Sequence, residues 1–125
     1  MPIYAPDMSI TISEPSFWIL SALAAGRRHG YGIMQDVAQL SEGGTTLKVP
    51  TLYATLERLE RAGLIQAAGE EVVGGRARRY FALTDDGSHA LREEAVRLQA
   101  KARIATERLS ARPRAASAAI SAAFA

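Results

Sequence analysis

The apolar residues at the start of the chain show the spacing of a buried helix. The stretch FWILSALAAG, residues 17–26, is apolar nearly all round, as is typical of a helix in a core or in a subunit contact. Before it stand Ser13, Glu14 and Pro15, a hydroxyl cap, an early acid and a proline, which predict the helix start. Gly26 is expected to end the helix, with Arg27 and Arg28 near its negative dipole end.

Two amphipathic patterns follow. Ile33, Val37 and Leu40 stand at i, i+4 and i+7 within GIMQDVAQL, which predicts a second helix with one apolar stripe. A third helix is predicted to begin at Pro50 and end at Gly63. Its buried stripe consists of Leu52, Leu56 and Leu59.

After residue 65 the pattern changes from helical spacing to alternation. Residues 65–73 and 77–83 are predicted to form two strands joined by a tight turn, because Gly74 and Gly75 supply the positive φ angles that such turns need. Successive strand side chains point to opposite faces. Arg79 therefore shares a face with Phe81 and Leu83, where it can pair inward with an acid. The opposite face carries Arg78, Tyr80 and Ala82.

The last periodic segment, residues 85–110, is predicted to form one long helix capped by Thr84. Its length would be roughly 39 Å at a rise of 1.5 Å per residue, and its apolar residues repeat with spacings of four and three, as in a coiled-coil seam. The seam residues are Leu91, Ala95, Leu98, Ala102, Ala105 and Leu109. We expect this segment to be a dimerisation helix (85–110). It follows an N-terminal arm (1–12) and a domain of helices and a hairpin (13–84), and it precedes a flexible Ala-rich tail (111–125).

Composition excludes several classes of function. The chain has no cysteine, so it has no disulfide, thiolate metal site or cysteine nucleophile. No phosphate-binding loop, metal-ligand cluster or nucleophile with a nearby base occurs, and we expect no enzymatic activity, cofactor or metal. No signal peptide or membrane-spanning run is predicted, so a cytoplasmic location is expected.

The charge of the chain is unevenly distributed. Residues 48–80 carry six basic and four acidic side chains, a net charge of +2, so this segment could form a basic patch.

The element order is three helices, a hairpin and a long helix, which is the winged helix-turn-helix arrangement in a mainly α protein with a small β-hairpin. Three motifs in the same order resemble the PadR family of transcriptional regulators: HGYGI at 29–33, TLYATLERLERAGLI at 51–65 and GGRARRYFALTDDG at 74–87. They lie within a similarity that runs from Phe17 to about Leu98. Pro50 departs from the family pattern, where a small residue or glycine often stands.

The resemblance implies a homodimeric DNA-binding repressor, with residues 13–84 as the winged helix-turn-helix DNA-binding domain. From the recognition helix, the wing and the seam together we expect the homodimer to bind an inverted-repeat operator in double-stranded DNA. The resemblance also implies that the first and last helices build the dimer, through Phe17 and the seam, and that a small aromatic or drug-like effector can act as inducer. Phe17 and Trp18 are the candidate effector-binding residues. For Trp18 the alternative is ordinary core and dimer packing.

Candidate DNA contacts come from the third helix, the start of the second helix and the wing. Small, hydroxylated and basic side chains at a helix N-terminus can approach phosphates and base edges. The predicted set is Tyr31, Lys48, Thr51, Tyr53, Arg58, Arg76, Arg78 and Arg79. The alternatives are that Tyr53 packs inward, that Arg58 pairs with a neighbouring acid and that the hairpin arginines are only solvated.

Two other functions stay open from the sequence. Winged helices can serve as protein-interaction modules without sequence-specific DNA binding, and an apolar dimer interface could carry small molecules. Salt-dependent affinity for random duplex DNA would separate the first of these from a DNA-binding regulator.

Overall fold

A computed structural model describes residues 12–113 of the chain. Most of the predicted N-terminal arm and of the Ala-rich tail therefore lies outside the described residues. The chain divides into two compact units, one up to Arg92 and one from Glu93 onwards. Within the described residues, no helix is long and apolar enough to cross a membrane.

Four helices and a three-stranded sheet make up the described chain, as the predicted fold class requires, with one strand more than expected. The elements in chain order are α1 (Glu14–Ala24), β1 (Arg28–His29), α2 (Gly30–Leu40), α3 (Val49–Arg61), β2 (Ile65–Val73), β3 (Arg76–Leu83) and α4 (Asp85–Ser110). The strand order is β1-β3-β2, and both pairs are antiparallel. The additional strand is β1, whose two residues are too few to show any alternation in the sequence.

Helix α1 begins where the sequence predicts. The Ser13 hydroxyl accepts a hydrogen bond from the Ser16 amide at 3.3 Å, and Gly26 follows the helix with a φ of +143° that other residues rarely adopt. Arg27 and Arg28 lie beyond the last turn, which holds no basic residue. Arg28 instead forms an ion pair with Asp36 of α2 at 2.7 Å.

The three helices and the sheet bury one core. Its members are the apolar stripes of α1, α2 and α3, together with residues from the loops and the sheet. The largest fully buried side chains are Ile19, Leu20, Ile33, Val37, Leu52, Leu56, Ile65 and Phe81. Leu40 is the exception among the predicted stripes, because it stands in the last turn of α2 and is 47% exposed.

The hairpin β2–β3 is the wing. Val73 pairs with Arg76 across a two-residue turn in which Gly74 and Gly75 have φ angles of +60° and +79°, so the predicted turn is confirmed. The ladder is irregular between Ala67 and Glu70, where Ala68 and Gly69 oppose Tyr80 alone. Such a bulge leaves one residue outside the ladder, and here the Arg27 guanidinium donates to the Ala68 carbonyl at 3.1 Å.

Helix α4 begins in the first unit and continues in the second. Thr84 caps it as predicted, since its hydroxyl accepts from the Gly87 amide at 3.0 Å. Within the first unit, Leu91 packs half-buried against the core. Within the second unit, Leu98 and Leu109 are 42% and 69% exposed, so these two seam leucines stand on the surface of the single chain.

Candidate nucleic-acid interface

The leading turn of α3 presents small, polar and basic groups to solvent. Leu52, Leu56 and Leu59 turn inward as predicted, which leaves Thr51 and Tyr53 on the outer side. Lys48 is the N-cap residue and makes no side-chain capping bond. The Val49 and Thr51 amides of the first turn are therefore available to an anion, whereas Pro50 has no N–H. A helix N-terminus with available amides and a positive dipole end favours phosphate.

Two arginines further along α3 differ in their surroundings. Arg61 pairs with Glu57 at 3.3 Å, as the sequence spacing predicts. Arg58 is exposed, and in the part of the chain that the structure describes no acidic side chain pairs with it. The ion-pair alternative for Arg58 therefore finds no support in the contacts of the described residues.

The three wing arginines divide between the two faces of the sheet. Arg76 directly follows the turn and is exposed, as is Arg78. Arg79 lies on the other face, where its guanidinium is 3.7 Å from the Glu60 carboxylate of α3 and 5.1 Å from the Phe81 ring centre. The inward ion pair expected for Arg79 is present, and Arg79 links the wing to α3.

The face that carries Arg78 and Tyr80 holds a network that the sequence analysis missed. Arg27 stacks over the Tyr80 ring at 4.1 Å, and the Tyr80 hydroxyl donates to Glu71 at 2.9 Å. This hydrogen bond to Glu71 is the main reason that the pKa of Tyr80 is raised, while Arg27 and Arg78 oppose the rise. The sequence AAG at 67–69 places a glycine inside a predicted strand, a pattern that indicates a bulge. At this bulge the Ala68 carbonyl accepts from Arg27.

His29 joins this face to the start of α2. Its Nδ1 accepts from the Gly32 amide at 3.2 Å, and its ring stands edge-on to Tyr80 with 5.4 Å between ring centres. Its Nε2 lies 3.4 Å from Nη1 of Arg78. His29 thus caps α2.

Two tyrosines stand at the beginnings of the helix-turn-helix helices. Tyr31, in the first turn of α2, is 62% exposed, and Tyr53 is 51% exposed. The Tyr53 hydroxyl lies against the backbone of Gly30, since a Cβ added to Gly30 would be 2.5 Å from it. Tyr53 therefore packs on α2 with its ring edge and keeps half of its surface in solvent.

Phe17 and Trp18, the candidate effector-binding residues, are half-buried on α1. Their rings meet edge to face with centres 5.2 Å apart, and the Trp18 indole N–H donates to Glu14 at 3.3 Å. The indole is thus held by its own helix. Within residues 12–113, no group of three or more metal-ligating side chains comes together.

Comparisons with known proteins agree on one family. Residues 19–93 match the sequence profile of the transcriptional regulator PadR-like family. The transcriptional regulator Rv3488 of Mycobacterium tuberculosis is 40% identical over 85 residues, which cover 68% of this chain and 76% of that protein.

Solved structures share the fold. A PadR family transcription regulator from Clostridium difficile is 26% identical, with a TM-score of 0.65 over 78% of this chain and 99% of that one. PadR of Bacillus subtilis in complex with operator DNA is 23% identical, with a TM-score of 0.58 over 64% of this chain and 46% of that one.

Proposed function

Because this chain belongs to the PadR-like family of transcriptional regulators, which are not enzymes, we propose that it binds operator DNA as a homodimeric, ligand-responsive repressor. The observation that carries the proposal is the exposure of basic and hydroxylated side chains at the start of α3 and on the wing. The Bacillus subtilis relative was crystallised with operator DNA, and we extend that activity to this chain.

The leading turn of α3 suits the major groove. Its amides and the Lys48 ammonium attract a phosphate, while Thr51 and Tyr53 offer hydroxyls at the same end of the helix. Arg58, two turns later, can reach a base edge or a second phosphate. Tyr31 supplies a further hydroxyl at the start of α2.

The wing arginines supply contacts to the DNA backbone. Changing Arg76 and Arg78 together to Ala should weaken binding to any duplex and reduce the salt slope, d log K/d log [salt], by about 0.9 for each lost phosphate contact. The matched control is Arg61→Ala with Arg97→Ala, which removes the same charge from two arginines already paired with Glu57 and Glu94. Fluorescence anisotropy with a labelled random duplex measures the affinity and the salt slope of each double variant. Equal salt slopes for the two double variants would contradict the proposed phosphate contacts of Arg76 and Arg78.

The seam of α4 is the proposed dimer contact, together with Phe17 of α1. Leu98→Glu places a charge in the seam and should give monomers in sedimentation at micromolar concentration. Val96 is 58% exposed and lies roughly 200° round the helix from Leu98, at 3.6 residues per turn. Val96→Glu should therefore leave the dimer intact, and a wild-type monomer at that concentration would refute the homodimer.

Trp18 is the proposed contact for a planar aromatic effector, with Phe17 beside it. Trp18 is the single tryptophan of the chain, so its fluorescence reports on this position directly. We expect saturable quenching by at least one planar aromatic compound, with lower affinity for DNA at the same concentration. Absence of quenching across such a panel would count against an effector site here.

Selection of bound sequences from a random DNA pool tests the whole proposal. An enriched inverted repeat would support a dimer that contacts two half-sites. Weak, salt-independent binding without enrichment would instead indicate a protein-interaction module.

A further inference from the structure

The His29 imidazole and the Arg78 guanidinium face each other on the sheet. Nε2 of the imidazole and Nη1 of the guanidinium are 3.4 Å apart on the exposed face of the sheet. An arginine side chain can only donate hydrogen bonds, whereas a neutral histidine carries one N–H and one acceptor nitrogen. Which imidazole nitrogen holds the proton therefore decides whether this contact is a hydrogen bond.

The cap of α2 fixes that choice. Nδ1 accepts from the Gly32 amide at 3.2 Å, so Nδ1 needs its lone pair and the proton must reside on Nε2. The Nε2–H group then points at an N–H group of Arg78, and no hydrogen bond joins them. The 3.4 Å gap is too short for an acceptor between the two nitrogens. An anionic oxygen beside the pair can accept from both N–H groups and so satisfy them.

The neighbouring charges leave this site positive. Glu71 stands opposite Arg78 across the strands, and its carboxylate accepts from the Tyr80 hydroxyl. Arg27 stacks on the Tyr80 ring, so the guanidinium groups of Arg27 and Arg78 together outweigh the single Glu71 carboxylate. Within residues 12–113, no carboxylate pairs with Arg78.

We propose that His29 Nε2–H and Arg78 Nη1–H together bind one phosphate oxygen of the DNA backbone. His29 thereby becomes a DNA ligand at the junction of β1 and α2, in addition to being the cap of α2. One phosphate would then contact the wing and the start of α2 together, two parts that the pairing of β1 with β3 already holds side by side. This inference rests on the proposed DNA binding.

The protonation of His29 can be tested without DNA. Long-range ¹H–¹⁵N correlation spectra of the free protein should show a proton on Nε2 of His29 and none on Nδ1. A proton on Nδ1 would overturn the inference, because Nε2 would then accept from Arg78 and leave no second donor. This outcome would leave the proposed DNA binding untouched.

The binding test uses His29→Asn, because Asn is a good N-cap while its shorter amide cannot reach the position of Nε2. We expect unchanged thermal unfolding and a loss of about five- to tenfold in affinity for a labelled random duplex, the effect of one solvent-exposed hydrogen bond. The salt slope should stay as in the wild type, since a neutral group releases no counterion. Arg78→Gln should reduce the slope by about 0.9.

A double-mutant cycle shows whether the two side chains share one phosphate. In an Arg78→Gln background, His29→Asn should cost less than about twofold, because the shared site is already lost. In the control background Arg76→Gln, which lies closer to the turn, the full five- to tenfold loss should persist. An equal loss in both backgrounds, or no loss from His29→Asn in the wild type, would overturn the inference. A wild type that binds no duplex would instead refute the proposed function.

Discussion

Gly87→Ala is the substitution whose effect on stability the structure determines most directly. Gly87 is buried in the first turn of α4, and an added Cβ would collide with the Leu64 carbonyl group, 2.9 Å from its carbon, and with Leu83 Cδ1, also at 2.9 Å. The Leu64 oxygen accepts a hydrogen bond from the Thr84 amide at 3.1 Å. The backbone at Leu64 therefore cannot shift away from Gly87 without weakening that hydrogen bond.

The magnitude follows from three contributions. Overpacking of a core costs about 1–3 kcal/mol, and the upper end applies because the obstacle is backbone. A weakened backbone hydrogen bond increases the loss of stability by about 1 kcal/mol. The higher helix propensity of Ala over Gly reduces the loss by at most about 1 kcal/mol. The expected loss is about 3 kcal/mol, a large part of the roughly 5–15 kcal/mol that stabilises a typical domain.

Urea unfolding followed by Trp18 fluorescence measures this loss. With a slope of about 1.5–2 kcal/mol per molar, the midpoint should fall by about 1.5–2 M, at equal protein concentration in all samples. Gly32→Ala is the matched control, because a Cβ at Gly32 meets only the His29 ring at 3.6–3.8 Å and should stabilise α2 by about 0.5–1 kcal/mol. A Gly87→Ala midpoint indistinguishable from the wild type would refute the reasoning.

Three further outcomes are expected. Gly30→Ala should change the free energy of unfolding by less than about 1 kcal/mol, because the Tyr53 side chain can move aside. That movement displaces a proposed DNA contact, so DNA binding should weaken. A loss of stability as large as that of Gly87→Ala would contradict this expectation. Leu56→Ala, in the core, should cost about 3 kcal/mol in the same assay, and a cost under about 1 kcal/mol would show that the site collapses. In alkaline absorbance titrations the Tyr80 phenol should ionise later than an ordinary tyrosine, and Tyr80→Phe should remove that late step. Since the folded-state pKa of Tyr80 is raised, its contribution to stability is present below its unfolded pKa and is lost as pH rises through the folded value.

Elements whose signals are local could be predicted from the sequence. The leucine stripe of α3 needs only a spacing of three and four residues, and the wing turn needs only Gly74–Gly75 between two alternating runs. The cap by Thr84 likewise depends on residues within one turn of it. Each of these features forms from neighbours along the chain, so tertiary context does not override them.

Features that depend on distant partners could not be predicted. Strand β1 exists because His29 pairs with Tyr80 across the sheet, 51 residues along the chain by their numbers, and two residues show no period. Alternation separated Arg79 from Arg78, but only the fold shows that Arg79 forms its ion pair with Glu60 of α3. The position of Arg27 could not be predicted, because it depends on the Ala68 carbonyl at the bulge, which accepts a hydrogen bond from its guanidinium.

Among residues 12–113, the strand order β1-β3-β2 leaves β2 as the long open edge of the sheet. An open edge invites pairing with a strand of another molecule, and exposed β-branched residues increase that risk. Val72 and Val73 are such residues, 72% and 41% exposed. Glu70 and Glu71 directly precede them, and the bulge interrupts the strand just before. Two copies aligned edge to edge along β2 would bring these like charges together, which disfavours such pairing.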